Sequence, residues 1–304
     1  MPPNPQTAPI LVFDIETIPD VATGKRLYPE IASLDDEQAL TALIALREQE
    51  VNSPFMRQPL HKIACLSFLW VENGNMTLKS LSLENHSEEQ ILQTFFRAFE
   101  KQPTLVSWNG KGFDIPVIMY RALQYDISVP KFFSEMGDMK YNNYLHRYHD
   151  RHTDLMVKMS MGATYQPLDT VASLCGFAGK QDIDGTMVVG LVQAEDWQTL
   201  TTYCEGDVIN TWLLYLRWQR LTGKMPVEMA KNWEVATHQY LSGLQNTVVK
   251  TSNRDNATAD LESGELESGD LENNALKNGE ETKTPTLRHA KFLAGWEFGN
   301  GEKI

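Results

Sequence analysis

Asp14 and Glu16 in ILVFDIET, Asp114 in NGKGFD, and Tyr203 and Asp207 in YCEGD are the side chains of this sequence whose types and spacing suit them to joint chemistry. Alternation along a strand puts residues i and i+2 on one face, so Asp14 and Glu16 project together, about 6.6 Å apart along the backbone. Leu11, Phe13 and Ile15 point the other way. Two carboxylates on one face of an otherwise apolar strand oppose burial and call for a cation or a wet cleft. Tyr203 and Asp207 are four apart on a helical pattern and so share a face. With that helix laid beside the strand, carboxylates converge with a phenol among them. An all-oxygen set of this kind suits Mg²⁺ or Mn²⁺ rather than Zn²⁺. Two such ions, about 3.5 to 4 Å apart, clamp the attacking and leaving oxygens of a phosphodiester during in-line displacement. A phenol with its ordinary pKa of about 10 is neutral near pH 7 and able to orient a water molecule.

The elements that must position these groups are legible in outline. Residues 33–51 carry helix formers with Leu40, Leu43, Ile44 and Leu46 on a helical period. HKIACLSFLWV and MTLKSLSLE read as two strands joined at ENGN, a hairpin. Ser87 and Gln90 form a capping box ahead of an apolar stripe of Ile91, Leu92, Phe95, Phe96 and Phe99. TLVSWN is a fourth strand, and FDIPVIMYRALQY is a helix with Pro116 in its first turn. LDTVASLCGF reads as a short helix ending near Gly176, and two long helical patterns follow from Trp197 and from Val227. This order predicts an α/β fold in which an antiparallel meander joins a parallel crossover in one mixed β-sheet flanked by helices. Residues 126–195 give no clear pattern apart from the short helix.

With 304 residues and 42% hydrophobic content, the chain can bury one large core. The expected organisation is a flexible N-terminus over 1–8, one catalytic-type domain over 9–246, an acidic low-complexity insert over 247–285 expected to be disordered, and a terminal helix over 286–304 docked on the domain. The insert repeats a five-residue unit with Leu261, Leu266, Leu271 and Leu276 in register. Four such units are too few to stack into a stable solenoid. Nine acids and one base between Asp255 and Glu281 contribute −8 of the net charge of −13, leaving −5 elsewhere. The acidity is therefore a weak objection to a polyanionic partner. Three scattered cysteines form no framework, no apolar run is long enough to span a bilayer, and no export signal opens the sequence, so a cytoplasmic protein is expected.

DIET, NG-x-x-FD and Y-x-x-x-D, in that order and with those gaps, resemble the three exonuclease motifs of the tyrosine-containing DEDD superfamily. The resemblance is greatest to the predicted 3′-5′ exonucleases related to the proofreading domain of family B DNA polymerases, and it covers about residues 8–245. It implies an RNase H-like sheet and a free-standing exonuclease that releases nucleoside 5′-monophosphates from the 3′ ends of single-stranded DNA or short oligonucleotides. Two Mg²⁺ ions, replaceable by Mn²⁺, would serve as cofactors. Asp14, Glu16 and Asp207 would hold the first ion, Asp14 would bridge to the second, and Asp114 would support the second through water. Tyr203 would position the attacking water, Thr17 would contact the 3′-terminal nucleotide, and Asn109 and Phe113 would shape the pocket for the penultimate one. Partners would be single-stranded 3′ ends and proteins of DNA repair or replication, with no membrane involved. Trimming of RNA or oligoribonucleotides is the alternative within the class; a non-catalytic nucleic-acid-binding module, or a scaffold built around the acidic repeat, are the alternatives outside it.

Each motif also has an ordinary structural reading: a solvated strand end for DIET, a turn in which Asp114 caps the next helix for NGKGFD, and an exposed helical pair for Tyr203 and Asp207. His146, His149 and His152 with Asp150 and Asp154 suggest zinc, but no further Cys or His pair completes a site. His152, Asp154 and Leu155 match a His-x-Asp-Leu pattern of the resembling family. Lys180 among glycines is a solvated or phosphate-facing loop residue, and Trp197, Trp212, Trp218 and Trp233 read as core or interface.

Overall fold

The structure, a computed structural model, describes residues 8–133, 144–145, 151–179, 185, 187–259, 289–294 and 296, with backbone alone for 244–259 and 291. Its strands are β1 (Ile10–Pro19), β2 (His61–Glu72), β3 (Asn75–Ser82), β4 (Thr104–Ser107) and β5 (His152–Asp154). They form one sheet in the order β3-β2-β1-β4-β5. The β1–β2 and β2–β3 pairs are antiparallel, while β1–β4 and β4–β5 are parallel. This is the mixed sheet, an antiparallel meander joined to parallel strands, expected from the sequence. β5 had no counterpart in the sequence reading, because three residues carry no period and their burial is decided by the neighbours.

The helices are α1 (Val21–Leu27), α2 (Asp36–Val51), α3 (Glu88–Arg97), α4 (Asp114–Gln124), α5 (Pro130–Phe133), α6 (Leu155–Ser160), α7 (Leu168–Leu174), α8 (Val188–Gln193), α9 (Trp197–Leu221), α10 (Val227–Ala259) and α11 (Ala290–Ala294). Asp35 caps α2, so that helix begins three residues after the expected Ser33. The Ser87–Gln90 capping box of α3 is formed in both directions. The backbone of α10 stays helical past residue 247, where the composition changes. The rest of the acidic repeat, Lys180, and His146, His149 and Asp150 lie outside the described residues.

Alternation on β1 divides the core into two layers. Leu11, Phe13 and Ile15 pack with Phe95, Phe99, Ile115 and Ile118 of the α3 and α4 side. Val12 faces the opposite layer with Trp212, Leu213 and Leu216 of α9. Asp14 and Glu16, in phase with Val12, therefore project toward α9. A buried polar knot fixes the first layer. Arg121 of α4 reaches Asp20 at the end of β1 (2.5 Å) and Glu88 at the start of α3 (2.5 Å), and Glu88 also accepts from Ile63 N of β2 (2.7 Å). A fully buried charge of this kind persists only when every partner is in place, so the knot ties α4, and with it Asp114, to the two central strands.

Behind α9, Phe292 and Trp296 join the core and His289 Nε2 lies 3.0 Å from the buried Glu205 Oε2. The described part of the expected terminal helix thus packs on the domain. A Cβ at Gly206 would stand 3.9 Å from Phe292, an ordinary contact, so close approach does not account for that glycine.

Candidate active site

β1 delivers Asp14 and Glu16 beside the middle of α9, whose Cys204 is wedged against the strand. The Cys204 thiol is directed at the Asp14 carbonyl oxygen (3.5 Å) and carboxylate Oδ2 (3.7 Å). Ligand atoms of Asp14, Glu16 and Cys204 all lie within 4.8 Å of one another, the one such group of potential metal-binding side chains among the described residues. Burial and contact with Cys65 push the Cys204 thiol well above its usual range. It therefore stays protonated and acts as a hydrogen-bond donor to Asp14 rather than as a soft ligand. Sequence reasoning missed Cys204. Its signal was the spacing of three from Asp207, which puts both on one side of α9.

Just beyond Glu16 the β1–β2 register slips. Glu16 pairs with Cys65 and Thr17 with Ile63, leaving Ala64 as the extra residue of a β-bulge. A bulge twists the strand and re-aims the side chains that follow. Thr17 consequently offers its hydroxyl to His61 Nδ1 at 2.8 Å. His61 Nε2 in turn lies 3.1 Å from the Met56 carbonyl oxygen. A carbonyl can only accept, so Nε2 carries the proton and Nδ1 receives the Thr17 hydroxyl. Burial holds this imidazole below its ordinary pKa, which keeps it neutral.

Asp114 enters at the start of α4, which packs on the face of the sheet opposite α9. Phe113, not Asp114, occupies the N-cap position of α4, and no side chain caps that helix. The Asp114 carboxylate accepts instead from Ile15 N at 3.3 Å, which brings it onto β1 between Asp14 and Glu16. The cap reading of NGKGFD is thereby replaced by a cross-strand one. The loop that carries Asp114 turns at Asn109, whose φ of 62° is left-handed. It is held by buried Asp154 at the end of β5, which accepts from Asn109 N (3.1 Å), Lys111 N (2.9 Å) and Val157 N (3.3 Å). Gly110 packs on Ser107, whose hydroxyl pairs with His152 Nε2 at 2.7 Å; an added Cβ there would overlap Ser107 Oγ. His152 is fully buried and pushed down to about 3 by that burial and by Lys111, so it is a neutral core residue. The His-x-Asp-Leu pattern therefore supports the Asp114 loop. Asp154→Ala leaves three backbone donors without their acceptor, at about 1–3 kcal/mol for each group that water cannot reach. A melting temperature lower by roughly 5–10 °C is expected for this size of domain, with Asp154→Asn intermediate; a melt unchanged in Asp154→Ala would refute the support role.

Electrostatics show how closely these groups are gathered. Asp14 is raised well above an ordinary aspartate by burial and then by the charges of Asp114, Glu16 and Asp207. Asp114 is pushed up to about 7 by burial, relieved in part by backbone N–H donors, with Asp154 and Asp207 adding to the rise. The Tyr203 phenol, buried beside Ala64, Cys65 and Val188, is raised by burial and then by Asp207, Glu16 and Asp14, and stays neutral. Each of the four acids is thus felt by another, and the tyrosine faces three of them. Such mutual repulsion fits a donor set for hard divalent cations, whose charge offsets it. Asn109 donates its backbone N–H to Asp154, and Phe113 packs its ring 5.0 Å from that of His61, with Phe55 5.4 Å from Phe113. Phe55 and His61 were not singled out in the sequence, since they belong to no acidic motif.

A mixed sheet thus brings Asp14 and Glu16 beside the α9 residues Tyr203 and Asp207, with Asp114 held on the same strand by Ile15 N. Residues 53–254 match the family described as predicted 3′-5′ exonucleases related to the exonuclease domain of PolB, and the chain belongs to that family. The match includes Asp114, Tyr203 and Asp207, while Asp14 and Glu16 lie ahead of it. Among curated proteins, DNA polymerase 1 of Sulfolobus acidocaldarius is 24% identical over 249 residues, covering 72% of this chain and 26% of that protein. DNA polymerase 1 of Saccharolobus solfataricus is 24% identical over 185 residues, 53% of this chain and 20% of that protein. The chain thus spans about a quarter or less of the length of these relatives. Among solved structures, the family B DNA polymerase of the hyperthermophilic archaeon Pyrobaculum calidifontis aligns with a TM-score of 0.44 at 17% identity, over 67% of this chain and 24% of that one. No helix among the described residues is long and apolar enough to cross a membrane.

Proposed function

We propose that this protein removes nucleotides from the 3′ ends of single-stranded DNA or short oligonucleotides by hydrolysis, releasing nucleoside 5′-monophosphates. The observation that carries the reading is that Glu16, Asp114 and Asp207, from three separate elements, all bear on Asp14, beside the buried phenol of Tyr203. Asp14, Glu16 and Asp207 would hold one Mg²⁺ or Mn²⁺, with Asp14 shared and Asp114 supporting a second. When bound, the ions supply charge stabilisation for the attacking and leaving oxygens. The chain's own groups do the positioning. Cys204 holds the Asp14 carboxylate against rotation, Ile15 N holds that of Asp114, and the protonated Tyr203 offers its hydroxyl to orient the attacking water. Thr17, held by His61, would contact the 3′-terminal nucleotide.

The test is incubation of 5′-labelled single-stranded DNA and RNA of matched sequence with Mg²⁺, Mn²⁺ or EDTA, beside Asp14→Ala. A ladder of 3′-shortened products that needs the metal and disappears in the variant is expected, faster on DNA. A faster RNA ladder would move the assignment to oligoribonucleotide trimming. Tight binding without shortening in either metal would overturn the enzyme reading and favour a binding module.

A further inference from the structure

Phe55 is 57% exposed, yet its backbone is held at both its N–H and its carbonyl. Arg47 Nε of α2 donates to its carbonyl oxygen at 2.9 Å, and Ser53 Oγ accepts from its N–H at 3.2 Å. The next residue, Met56, is buried with Ile31, Leu43 and Leu60. Gln58 Nε2 donates to the Gly112 carbonyl at 2.6 Å, which fastens the same segment to the loop that carries Asp114. The Phe55 ring leans on His61 (4.9 Å between centroids) and on Phe113 (5.4 Å), and those two rings meet edge to face at 5.0 Å. His61 is the residue that receives the Thr17 hydroxyl, and Phe113 directly precedes Asp114. An aromatic ring is thus mounted rigidly, supported from behind and left open in front, at the rim of the acidic cleft.

Exposing a large apolar ring is unfavourable, and fixing it there forfeits the freedom that would let it fold inward. Such a mount is what a stacking platform requires, since every nucleobase offers a flat face and base–aromatic stacking tolerates any sequence. We infer that Phe55, backed by His61 and Phe113, is a base-stacking platform that grips one unpaired nucleobase of the entering strand. This rests on the reading of the protein as a nuclease acting at 3′ ends, and it deepens that reading. The platform selects strands whose terminal bases are unpaired, because a paired base has its faces covered by its neighbours. Keeping His61 neutral matters here: the ring supports Phe55 and Phe113 while its Nδ1 accepts from Thr17, so one imidazole couples the base platform to the threonine beside Glu16.

The test uses the full chain with single-stranded oligonucleotides that carry 2-aminopurine, or an abasic site, at the last, second or third nucleotide. Wild type should quench 2-aminopurine at one of these positions, and Phe55→Ala should lose that quenching. Phe55→Ala should also raise KM on intact strands about tenfold with kcat within about twofold, while Phe55→Trp keeps wild-type KM. On the strand whose abasic site falls at the quenched position, wild type and Phe55→Ala should become equal. Quenching and KM unchanged in Phe55→Ala, with wild type cleaving normally, would overturn the platform and leave the nuclease reading intact. Quenching lost in Phe55→Ala although wild type does not cleave would support the platform and remove the nuclease reading. Absence of both quenching and cleavage in wild type would remove both.

Discussion

Asp207→Asn should lower the rate of 3′-end cleavage by roughly 10³-fold or more, and Tyr203→Phe by about 10²-fold, in single-turnover reactions at saturating Mg²⁺. The two residues share one helix and one cleft, yet the expected losses differ because their work differs. Under the proposed reading Asp207 supplies charge: it is felt by Asp14, Asp114 and Tyr203, and removing it would empty part of the donor set for a divalent ion. The stabilisation a bound metal gives to developing charge is several kcal/mol, and each 1.36 kcal/mol is a factor of ten. Tyr203 supplies orientation. Its phenol stays protonated, so losing the hydroxyl forfeits the alignment of a water molecule, and misplacement by about 1 Å costs on the order of 10². Raising Mn²⁺ should restore the cleavage rate of Asp207→Asn by no more than about threefold. Retention of a tenth or more of the wild-type rate by Asp207→Asn would show that the acidic cleft is not the seat of hydrolysis.

The parts of this site legible in the sequence are those whose signal is a period. β1 announces Asp14 and Glu16 because a two-residue alternation sets acids against Leu11, Phe13 and Ile15, and the core divides along that line. α9 announces Tyr203 and Asp207 because a helix of 25 residues carries enough turns to fix a face. The Ser87–Gln90 box fixed the start of α3, where Glu88 meets Arg121. The illegible parts depend on pairs far apart in the chain. β5 exists because Leu105 and Ser107 offer a parallel edge to His152 and Asp154. The contact of Cys204 with Asp14 spans 190 residues, and the clasp of Gln58 on Gly112 spans 54. The bulge at Ala64 is a register event, visible only when both strands are placed. Asp114 shows the limit of local rules: an acid at the start of a helix suggests a cap, and it is instead captured by Ile15 N, 99 residues away.

In metal-free buffer the folded protein should lose stability as pH rises from about 4 to 8, and Asp114→Asn should abolish a large part of that loss. A carboxyl that titrates at about 7 in the fold and near 3.8 in the unfolded chain binds its proton more tightly in the fold. Below 3.8 both states are protonated and the group is neutral to stability. Between the two values the unfolded chain releases the proton and gains, while the fold keeps it, so stability falls as pH rises and stays low above 7. Asp14, raised by the same crowding, adds to the effect in the same direction. The loss from Asp114 is on the order of a few kcal/mol, which corresponds to roughly 5–10 °C in melting temperature for a domain of this size. Asparagine keeps an oxygen for Ile15 N and removes the charge, so Asp114→Asn in EDTA should melt higher than wild type at pH 8 and nearly equal to it at pH 4. Millimolar Mg²⁺ or Mn²⁺ should raise the wild-type melt at pH 8, because an ion that binds only the fold offsets the repulsion there, and should do little near pH 4, where protons already have. A wild-type melt indifferent to divalent ions at pH 8, together with an Asp114→Asn difference independent of pH, would mean that these carboxylates neither repel one another nor await a cation. Under the proposed reading the crowding that costs stability in EDTA would give the ion its affinity, so stability lost in EDTA and turnover gained in Mg²⁺ should follow one binding curve.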